Sequence, residues 1–341
     1  MVMELAKQNT DTKTIKEIVP DVKARQIKDL FAKEQGRPTS KVYPNISEVA
    51  APDLPSRSLT DTLVENFNRK AQYMWPTLHE PSFLKVVDDA YNGSTTPYDN
   101  FTLRMVIAIS MQKLSTQYAG LADAFYLAAL QYLENSVKSM DLGTLQCFAL
   151  IAQYSLLTPT RTAAYWVVGL AARLCQELGF TEEATILLND NRNPRPDTIE
   201  IDMRRRLFWV ITSMEFGLAH SLGRPSVFGT TFDHIDVKFF ETVDDKYITP
   251  AGVIPGSPQS NKKHIAIHFF KMRLLQAEIR RKLYLKRKPQ PNSDQHPWFQ
   301  EMMAKLNQWR HSAPKYDEGS GLSDKWYVNA HFYSILKSQE T

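Results

Sequence analysis

The chain has 341 residues, of which 43% are hydrophobic and 23% charged, with a formal net charge of +4. These are ordinary globular values, so they exclude wholesale disorder, and the mild charge gives no strong nucleic-acid footprint. Cys147 and Cys175 are the only cysteines, which excludes a disulfide framework and a cysteine-rich zinc module and suits a reducing compartment. The N-terminus lacks the apolar core of a secretory signal, and the longest apolar run, residues 163–172, is about half of a membrane span. We expect a soluble intracellular protein with no membrane contact.

The first part of the chain differs from the rest. Residues 1–57 are polar, with one weak amphipathic segment over residues 22–31 and then four prolines. This pattern predicts a partly disordered N-terminal arm or linker over residues 1–53, followed by one domain over residues 54–341.

Apolar residues recur at steps of three and four from Leu59 onward, and period-two alternation is nearly absent. The spacing predicts one helix after another. The predicted helices cover residues 60–73, 82–91, 100–114, 121–137, 142–156, 162–178, 198–222, 262–287, 298–311 and 324–337, with an extended segment over 230–258. The fold class is therefore all-α, as a single large multi-helix domain.

Two helix ends have clear signals. Gly179 and Gly223 each follow an apolar helical stretch, where a left-handed glycine ends a helix, and Pro225 prevents continuation after the second. Asp197 and Glu200 have the spacing of a capping box at the start of the helix over residues 198–222.

The helix over residues 162–178 has two notable features. Trp166, Leu170, Leu174 and Leu178 form one i,i+4 ridge of the kind that packs into a neighbouring helix. Gly169 lies mid-helix, where glycine costs about 1 kcal/mol against alanine. We expect Gly169 to permit close helix approach.

The stretch "YMWPTLHEPSF" contains a His-Glu pair between two prolines. A zinc-protease helix H-E-x-x-H would need a second histidine where Phe83 stands, and Pro81 cannot lie mid-helix. We interpret the stretch as a corner: Pro76 ends one helix, Pro81 starts the next in its first turn, and apolar side chains such as Trp75 fasten it to the core. His79 is then structural rather than reactive.

Other patterns are weaker. His264 and His268 are an i,i+4 pair that could share a metal, but no third ligand stands at a suggestive spacing. The paired acids at 88–89 and 244–245 are typical of magnesium sites in all-α terpene synthases, but lack the further acid such sites require. The basic run at 280–288 fits either an import signal or phosphate patch, or a solvated helix end.

Several blocks occur together in a recognisable order. "LPSRSLTDTLVENFNRKAQYMWPTLHEPSFLK", "LGTLQCFALIAQYSL", "AAYWVVGLAARLCQELGF" and "EIDMRRRLFWVITSMEFGLAHSLGRPSVF" resemble the fungal-specific transcription factor regulatory domain, the middle homology region of zinc-cluster regulators. "FDHIDVKFFETVDDKYIT", residues 232–249, is similar to the acidic connector that follows in that family. The resemblance covers residues 54–337.

The resemblance implies a nuclear regulatory module of a transcription regulator, without catalytic residues. It implies a small apolar effector, a protein partner or a dimer, and DNA contact only through a missing domain or a partner. The family-motif positions, implied to be mostly structural, are Trp75, Pro76, His79, Pro81, Phe83, Gln146, Trp166, Gly169, Gly179, Glu200, Arg204, Arg205, Arg206, Phe208, Trp209, Gly223, Arg224, Pro225, Asp236 and Asp245.

The three consecutive arginines, Arg204 to Arg206, point in different directions on one helix, so at most one or two can pair inward. Glu200 and Arg204 have the favourable i,i+4 order. We expect one arginine to pair with Asp233 or Asp236, or with Asp244 or Asp245, and so to hold the acidic connector over the helix. The alternative is a solvated basic face.

The chain departs from the family in one respect. Family members carry six N-terminal cysteines that hold two zinc ions, and two cysteines cannot do so. We therefore expect no cofactor in this chain, with zinc only in the missing DNA-binding domain, and either a truncated regulatory domain or a short natural relative. Two other classes stay open: an all-α metabolic enzyme acting on a small apolar substrate, and an interaction subunit without a ligand.

Overall fold

The computed structural model describes residues 47–114, 118–158, 161–188, 196–228, 235–284, 291, 293 and 295–314, and these belong to a unit that begins at Ser47. Ten α-helices account for most of these residues. They are α1 (Arg57–Lys70), α2 (Glu80–Tyr91), α3 (Pro97–Leu114), α4 (Ala119–Ser136), α5 (Leu142–Leu157), α6 (Ala164–Glu177), α7 (Glu183–Ile186), α8 (Thr198–Ser221), α9 (Asn261–Leu283) and α10 (Pro297–His311). A 3-10 turn (Asp245–Tyr247) and a two-residue hairpin of β1 (Ile248–Thr249) and β2 (Gly252–Val253) precede α9.

Three long helices form the centre of the fold. Every residue of α3 from Phe101 to Met111 is buried, and most of α5 and α8 is buried as well. Helices that are buried all round lie inside a layered bundle. α3 packs against α1, α4 and α5, while α8 packs against α5, α6 and α9. No helix in the described ranges is long and apolar enough to cross a membrane.

The all-α prediction is confirmed. The nine helices predicted between residues 60 and 311 are present, with ends displaced by at most three residues. The exception is the predicted end at 287, since α9 ends at Leu283 and residues 285–287 lie outside the described residues. The arm up to residue 46 and the helix over 324–337 also lie outside them. The boundary between arm and domain stays a prediction.

The predicted helix ends are also found. Gly179 and Gly223 have φ angles of 72° and 64°, the left-handed conformation that glycine adopts without strain. Asp197 accepts a hydrogen bond from the backbone N–H of Glu200 at 2.8 Å. The carboxylate of Glu200 turns instead to Arg204, at 2.6 Å, so only half of the capping box forms.

Two expectations about α6 are wrong. Trp166 is 74% exposed and Leu170 is 53% exposed, whereas Leu174 on the same ridge is buried. The buried face consists instead of small and β-branched residues next to this ridge: Val167, Val168, Ala171, Ala172, Leu174 and Cys175. A Cβ added at Gly169 would meet no atom within 4 Å, so this glycine permits no close helix approach.

Candidate functional site

Three glutamines hold the corner between α1 and α2. The Gln72 side-chain oxygen accepts from the N–H of Thr77 (2.9 Å) and Leu78 (3.2 Å), and its nitrogen donates to the Leu78 carbonyl. Gln146 of α5 donates to the Thr77 carbonyl at 3.0 Å, and Gln153 donates to the Thr77 hydroxyl. These amides satisfy backbone groups that an irregular buried turn would otherwise leave unpaired.

The corner interpretation of "YMWPTLHEPSF" is confirmed. Pro81 lies in the first turn of α2, as predicted, but Pro76 does not itself end α1, because that helix ends at Lys70, six residues earlier. Phe83 and Leu78 are buried, and Trp75 packs edge-on against Phe269 of α9, with 5.4 Å between the ring centroids. The turn therefore fastens the first two helices to α9.

The His79 imidazole makes two polar contacts in this corner. It is buried, its Nδ1 lies 2.8 Å from the Ser82 hydroxyl, and its Nε2 lies 3.0 Å from the Asp245 carbonyl oxygen. Burial lowers the pKa of His79. The imidazole therefore joins the corner to the acidic connector as a structural hydrogen-bonding group.

Asp245, in the acidic connector, is the centre of a buried ion network. Its carboxylate accepts from Arg206 Nη2 of α8 at 2.5 Å and from the backbone N–H of Glu80 at the start of α2 at 2.8 Å. Lys263 Nζ of α9 lies 2.7 Å away. Arg206, which has no exposed surface, also pairs with Asp202 one turn earlier on α8, at 2.6 Å. Four segments of the chain therefore meet at one carboxylate.

The network has balanced charges, with two cations and two carboxylates. Burial opposes ionisation of Asp245, but Arg206 and Lys263 outweigh it through their charges and hydrogen bonds and lower the pKa of this carboxyl. Burial lowers the pKa of Lys263, and the charge of Arg206 adds to this effect. A buried group of this kind is costly to break, because removal of one member leaves an uncompensated buried charge.

The predicted arginine–connector pair is confirmed as Arg206 with Asp245. Two of the three arginines pair with acids of other segments, within the expected limit: Arg206 with Asp245, and Arg205 with Glu183 on α7. Arg204 pairs with Glu200 along its own helix. The Arg205 partner was not predicted, because α7 is a single helical turn that the sequence did not predict and that brings an acid to α8.

Further side chains hold the acidic connector along α8. Asp236 accepts from the backbone N–H of Glu183 at 3.0 Å, and Glu183 accepts from the backbone N–H of Lys238 at the same distance. Asp202 accepts from the Glu241 N–H at 2.7 Å, and the Trp209 indole donates to the Lys238 carbonyl at 3.0 Å. Asp236 is thus a backbone partner rather than an arginine partner, and Asp233 lies outside the described residues.

Other predicted positions have structural surroundings. Phe208 is buried and contacts Trp209 edge-on. The Arg224 guanidinium lies 4.8 Å from the centre of the Tyr165 ring on α6, and Pro225 beside it is exposed.

The alternative metal sites find no support. His268 is buried and stacks on Trp309 at 4.3 Å, and burial lowers its pKa to about 4. Asp88 pairs with Arg57, and Asp245 belongs to the ion network. Over the described ranges, no three His, Cys, Asp or Glu side chains are grouped so that they could hold a metal ion.

The two cysteines lie in the core rather than at a site that could hold zinc. Cys147 and Cys175 are both buried, on α5 and α6. Burial raises the pKa of Cys147 to about 12 and raises that of Cys175 too. Zinc takes thiolates as ligands, so these thiols act as small core residues.

A small, open cleft lies beside the ion network. We call it the connector cleft. It is lined by Gln72, Tyr73, Pro76, Glu80, Arg206, Asp244, Asp245, Ser260, Lys262 and Lys263. Most of these lining residues are polar or charged.

Comparison with known families decides the class of protein. The model of the fungal specific transcription factor domain matches residues 64–311, which is most of the chain. The chain belongs to this family. The family resemblance drawn from the sequence blocks is therefore confirmed, and the curated relatives are named as transcription regulators rather than enzymes.

Curated relatives of this fungal transcription factor domain are regulators of several processes. The chain is 27% identical over 287 residues to the positive regulator of purine utilization of Emericella nidulans, covering 66% of this chain and 26% of the relative. It is 28% identical over 225 residues to the pyrimidine pathway regulatory protein 1 of Saccharomyces cerevisiae, covering 62% and 24%. The ABC-transporter-regulating transcription factor of Aspergillus oryzae is 23% identical over 273 residues, covering 76% and 29%.

The chain thus spans about a quarter of the length of the curated relatives that it matches. No solved structure matches it.

Sequence reasoning missed several residues of the site. Asp202 had a readable signal, because it stands four residues before Arg206 in the order that favours an ion pair. No sequence signal marked Gln72, Glu183 or Lys263, because the residues they contact are brought close only by the packing of the helices.

Proposed function

We propose that this domain is the effector-responsive regulatory module of a zinc-cluster-type transcription regulator that acts in the nucleus. DNA is reached through a domain or partner other than residues 64–311, and the module acts through a small molecule or a protein contact. The family membership supports the regulatory role. The observation that carries the mechanism is the Arg206–Asp245 pair.

The ion network suits a regulatory element because it connects separate parts of the chain at one point. Asp245 joins the acidic connector to α2, α8 and α9 through Glu80, Arg206 and Lys263. Buried ionic groups have well-defined partners, so such a network has a closed state and an opened state rather than a continuum. A ligand or protein shifts this equilibrium by binding one state more tightly.

A reporter assay tests this role. The full chain is fused to a heterologous DNA-binding domain and a constant activation segment, and reporter output is compared for the wild type and Asp245→Asn. We expect the substitution to change output, because it weakens the closed state. A core variant of equal stability loss, such as Leu63→Ala, is the control, since Leu63 lies in α1 away from the network.

The outcomes separate regulation from folding. A change with Asp245→Asn that Leu63→Ala does not reproduce at equal protein level supports the proposal. Equal output from all three proteins, or equal change in both variants, contradicts it. Native mass spectrometry of the wild-type chain identifies whether a small molecule, a protein partner or a second copy is retained.

A further inference from the structure

Arg273 lies against α8 at a position where the helix has no side chain. A Cβ built on Gly217 would stand 3.0 Å from Arg273 Nη2 and 3.1 Å from its Cζ, so the guanidinium rests on the bare backbone of α8. The other side of the group lies 4.9 Å from the centre of the Phe269 ring. The guanidinium group of Arg273 is therefore held between α8 and α9 rather than free in solvent.

This arginine has no acidic partner among the described residues. Its Nη1 donates to the Gln276 side chain at 2.8 Å, and its Nε is buried without a hydrogen-bond partner anywhere in the described ranges. Burial lowers the pKa of Arg273 to about 10. Glu215 of α8 accepts from the Ser226 hydroxyl (2.6 Å) and the Val227 N–H (2.9 Å). Burial raises the pKa of this carboxyl, while its hydrogen bonds and the charge of Arg280, but not that of Arg273, oppose the rise. A partly buried guanidinium without a counter-charge is unusual, and a bound ion or water is the ordinary explanation.

A second arginine lies on the same face of α9. Arg280 follows Arg273 by seven residues, which is two turns, or roughly 10 Å along the helix. It donates to the Arg224 carbonyl at 2.6 Å, just beyond the end of α8, and forms no ion pair with a described acid. Arg273 therefore faces Gly217 of α8, and Arg280 faces Arg224, which lies seven positions later and beyond the end of α8. The two helices run side by side here.

His220 lies between these two contact points, one turn after Gly217 on α8. Burial lowers the pKa of His220, and the charges of Arg280 and Arg273 lower it further. Both guanidinium groups are thus close enough to act on the same imidazole. His220 itself is exposed at this end of α8.

We propose that the α8–α9 surface at Arg273 and Arg280 binds a small oxyanion, the carboxylate or phosphate group of a metabolite. A guanidinium group suits the oxygens of such an anion, and Arg273 Nη2 forms no hydrogen bond with a described residue, whereas Nη1 is taken by Gln276. The bound anion would join α8 to α9 about three turns beyond the point where Asp245 joins the same helices. Anion binding itself does not depend on the proposed transcriptional role.

The test is thermal unfolding of the purified full chain, with sodium chloride replaced at constant ionic strength by inorganic phosphate or by acetate. We expect at least one of the two anions to raise the unfolding midpoint by mass action. Because phosphate also stabilises proteins through exclusion from their surface, the comparison with variants decides. Arg273→Gln removes the proposed anchor, and Arg69→Gln removes an exposed arginine on α1 as the matched control.

A second variant guards against misfolding. Gly217→Ala keeps every charge but places a methyl group against the guanidinium, so it should weaken anion binding about tenfold, as loss of one charge-assisted contact implies. A rise with acetate only identifies a carboxylate, and a rise with phosphate only identifies a phosphate. No rise with either anion overturns the proposal, and so does a rise that survives both Arg273→Gln and Gly217→Ala.

Discussion

Arg206 and Asp245 are separated by 39 positions in the sequence, and their side chains meet at 2.5 Å in the interior of the protein. The pair joins the acidic connector to the longest helix of the fold. The connector in turn lies on the corner between α1 and α2, because Asp245 also accepts from the Glu80 N–H. The stability of this part of the molecule should therefore depend strongly on either partner.

Arg206→Ala and Asp245→Ala should each lower the free energy of unfolding by about 3–5 kcal/mol, since each leaves a buried charge unpaired. The double variant should lose much less than the sum, because its second change removes the charge left stranded by the first. Denaturant titrations of the four proteins measure this coupling. The cycle of Arg206 with Asp236 is the control and should be additive within about 0.5 kcal/mol. Additivity in both cycles rules out the pair as a coupled unit.

The sequence allowed the fold class and most helix ends to be predicted, for local reasons. Gly179 and Gly223 end helices through a backbone conformation that belongs to glycine, and apolar spacing marks the long helices. The choice of Asp245 among four acidic candidates was not predictable, because it depends on how α2, α8 and α9 pack. Trp166 was misjudged for another reason: hydrophobicity alone does not specify which residues of a ridge face the core.

Replacement of Gly169 and of Gly179 by alanine should change the stability of the protein in opposite directions. Gly169→Ala should stabilise the chain by about 0.5–1 kcal/mol, since the helix gains propensity and the added methyl group meets no atom. Gly179→Ala should destabilise by about 1–3 kcal/mol. Its φ of 72° strains an alanine, and the new Cβ would lie 2.2 Å from the Thr185 methyl carbon. Thermal unfolding midpoints compare the two; a loss with Gly169→Ala restores the close-approach interpretation.

The corner histidine should matter for stability. His79→Ala should cost about 1–3 kcal/mol, because it leaves the buried Asp245 carbonyl without its imidazole partner. Trp75→Ala should cost about 2–4 kcal/mol through lost packing on Phe269. Chemical denaturation of the two variants checks both values. A fully stable His79→Ala protein would show that the imidazole contacts contribute nothing.

The chain should lose stability as the pH falls from about 6.5 to 4. The pKa of His268 is about 4 in the folded state, below its unfolded value of 6.5. Between these two pH values the unfolded state binds more protons than the folded state, so the free energy of unfolding decreases as the pH falls. His268→Phe keeps a ring against Trp309 and should remove a loss on the order of 1–3 kcal/mol. Unfolding free energies at pH 7 and pH 4.5 give the comparison. An equal acid loss in both proteins would assign the effect to other groups.

Trp166→Ala should leave stability nearly unchanged, within about 0.5 kcal/mol, because most of this side chain is exposed. Leu174→Ala on the same ridge should cost about 2–5 kcal/mol as a buried truncation. The two substitutions are compared by urea titration. Similar losses at both positions would place Trp166 in the core after all.

Amide hydrogen exchange tests most directly whether the Arg206–Asp245 pair holds the acidic connector. In the wild type, the amides of Glu80 and Glu241 donate to Asp245 and Asp202 and should be protected together. Asp245→Asn should raise exchange at both by at least about tenfold, since the local opening free energy falls with the pair. Asp141→Asn, which alters only the cap of α5, should affect Thr144 alone. Unchanged protection of Glu241 in Asp245→Asn would contradict the account, because the connector would then be held without the pair.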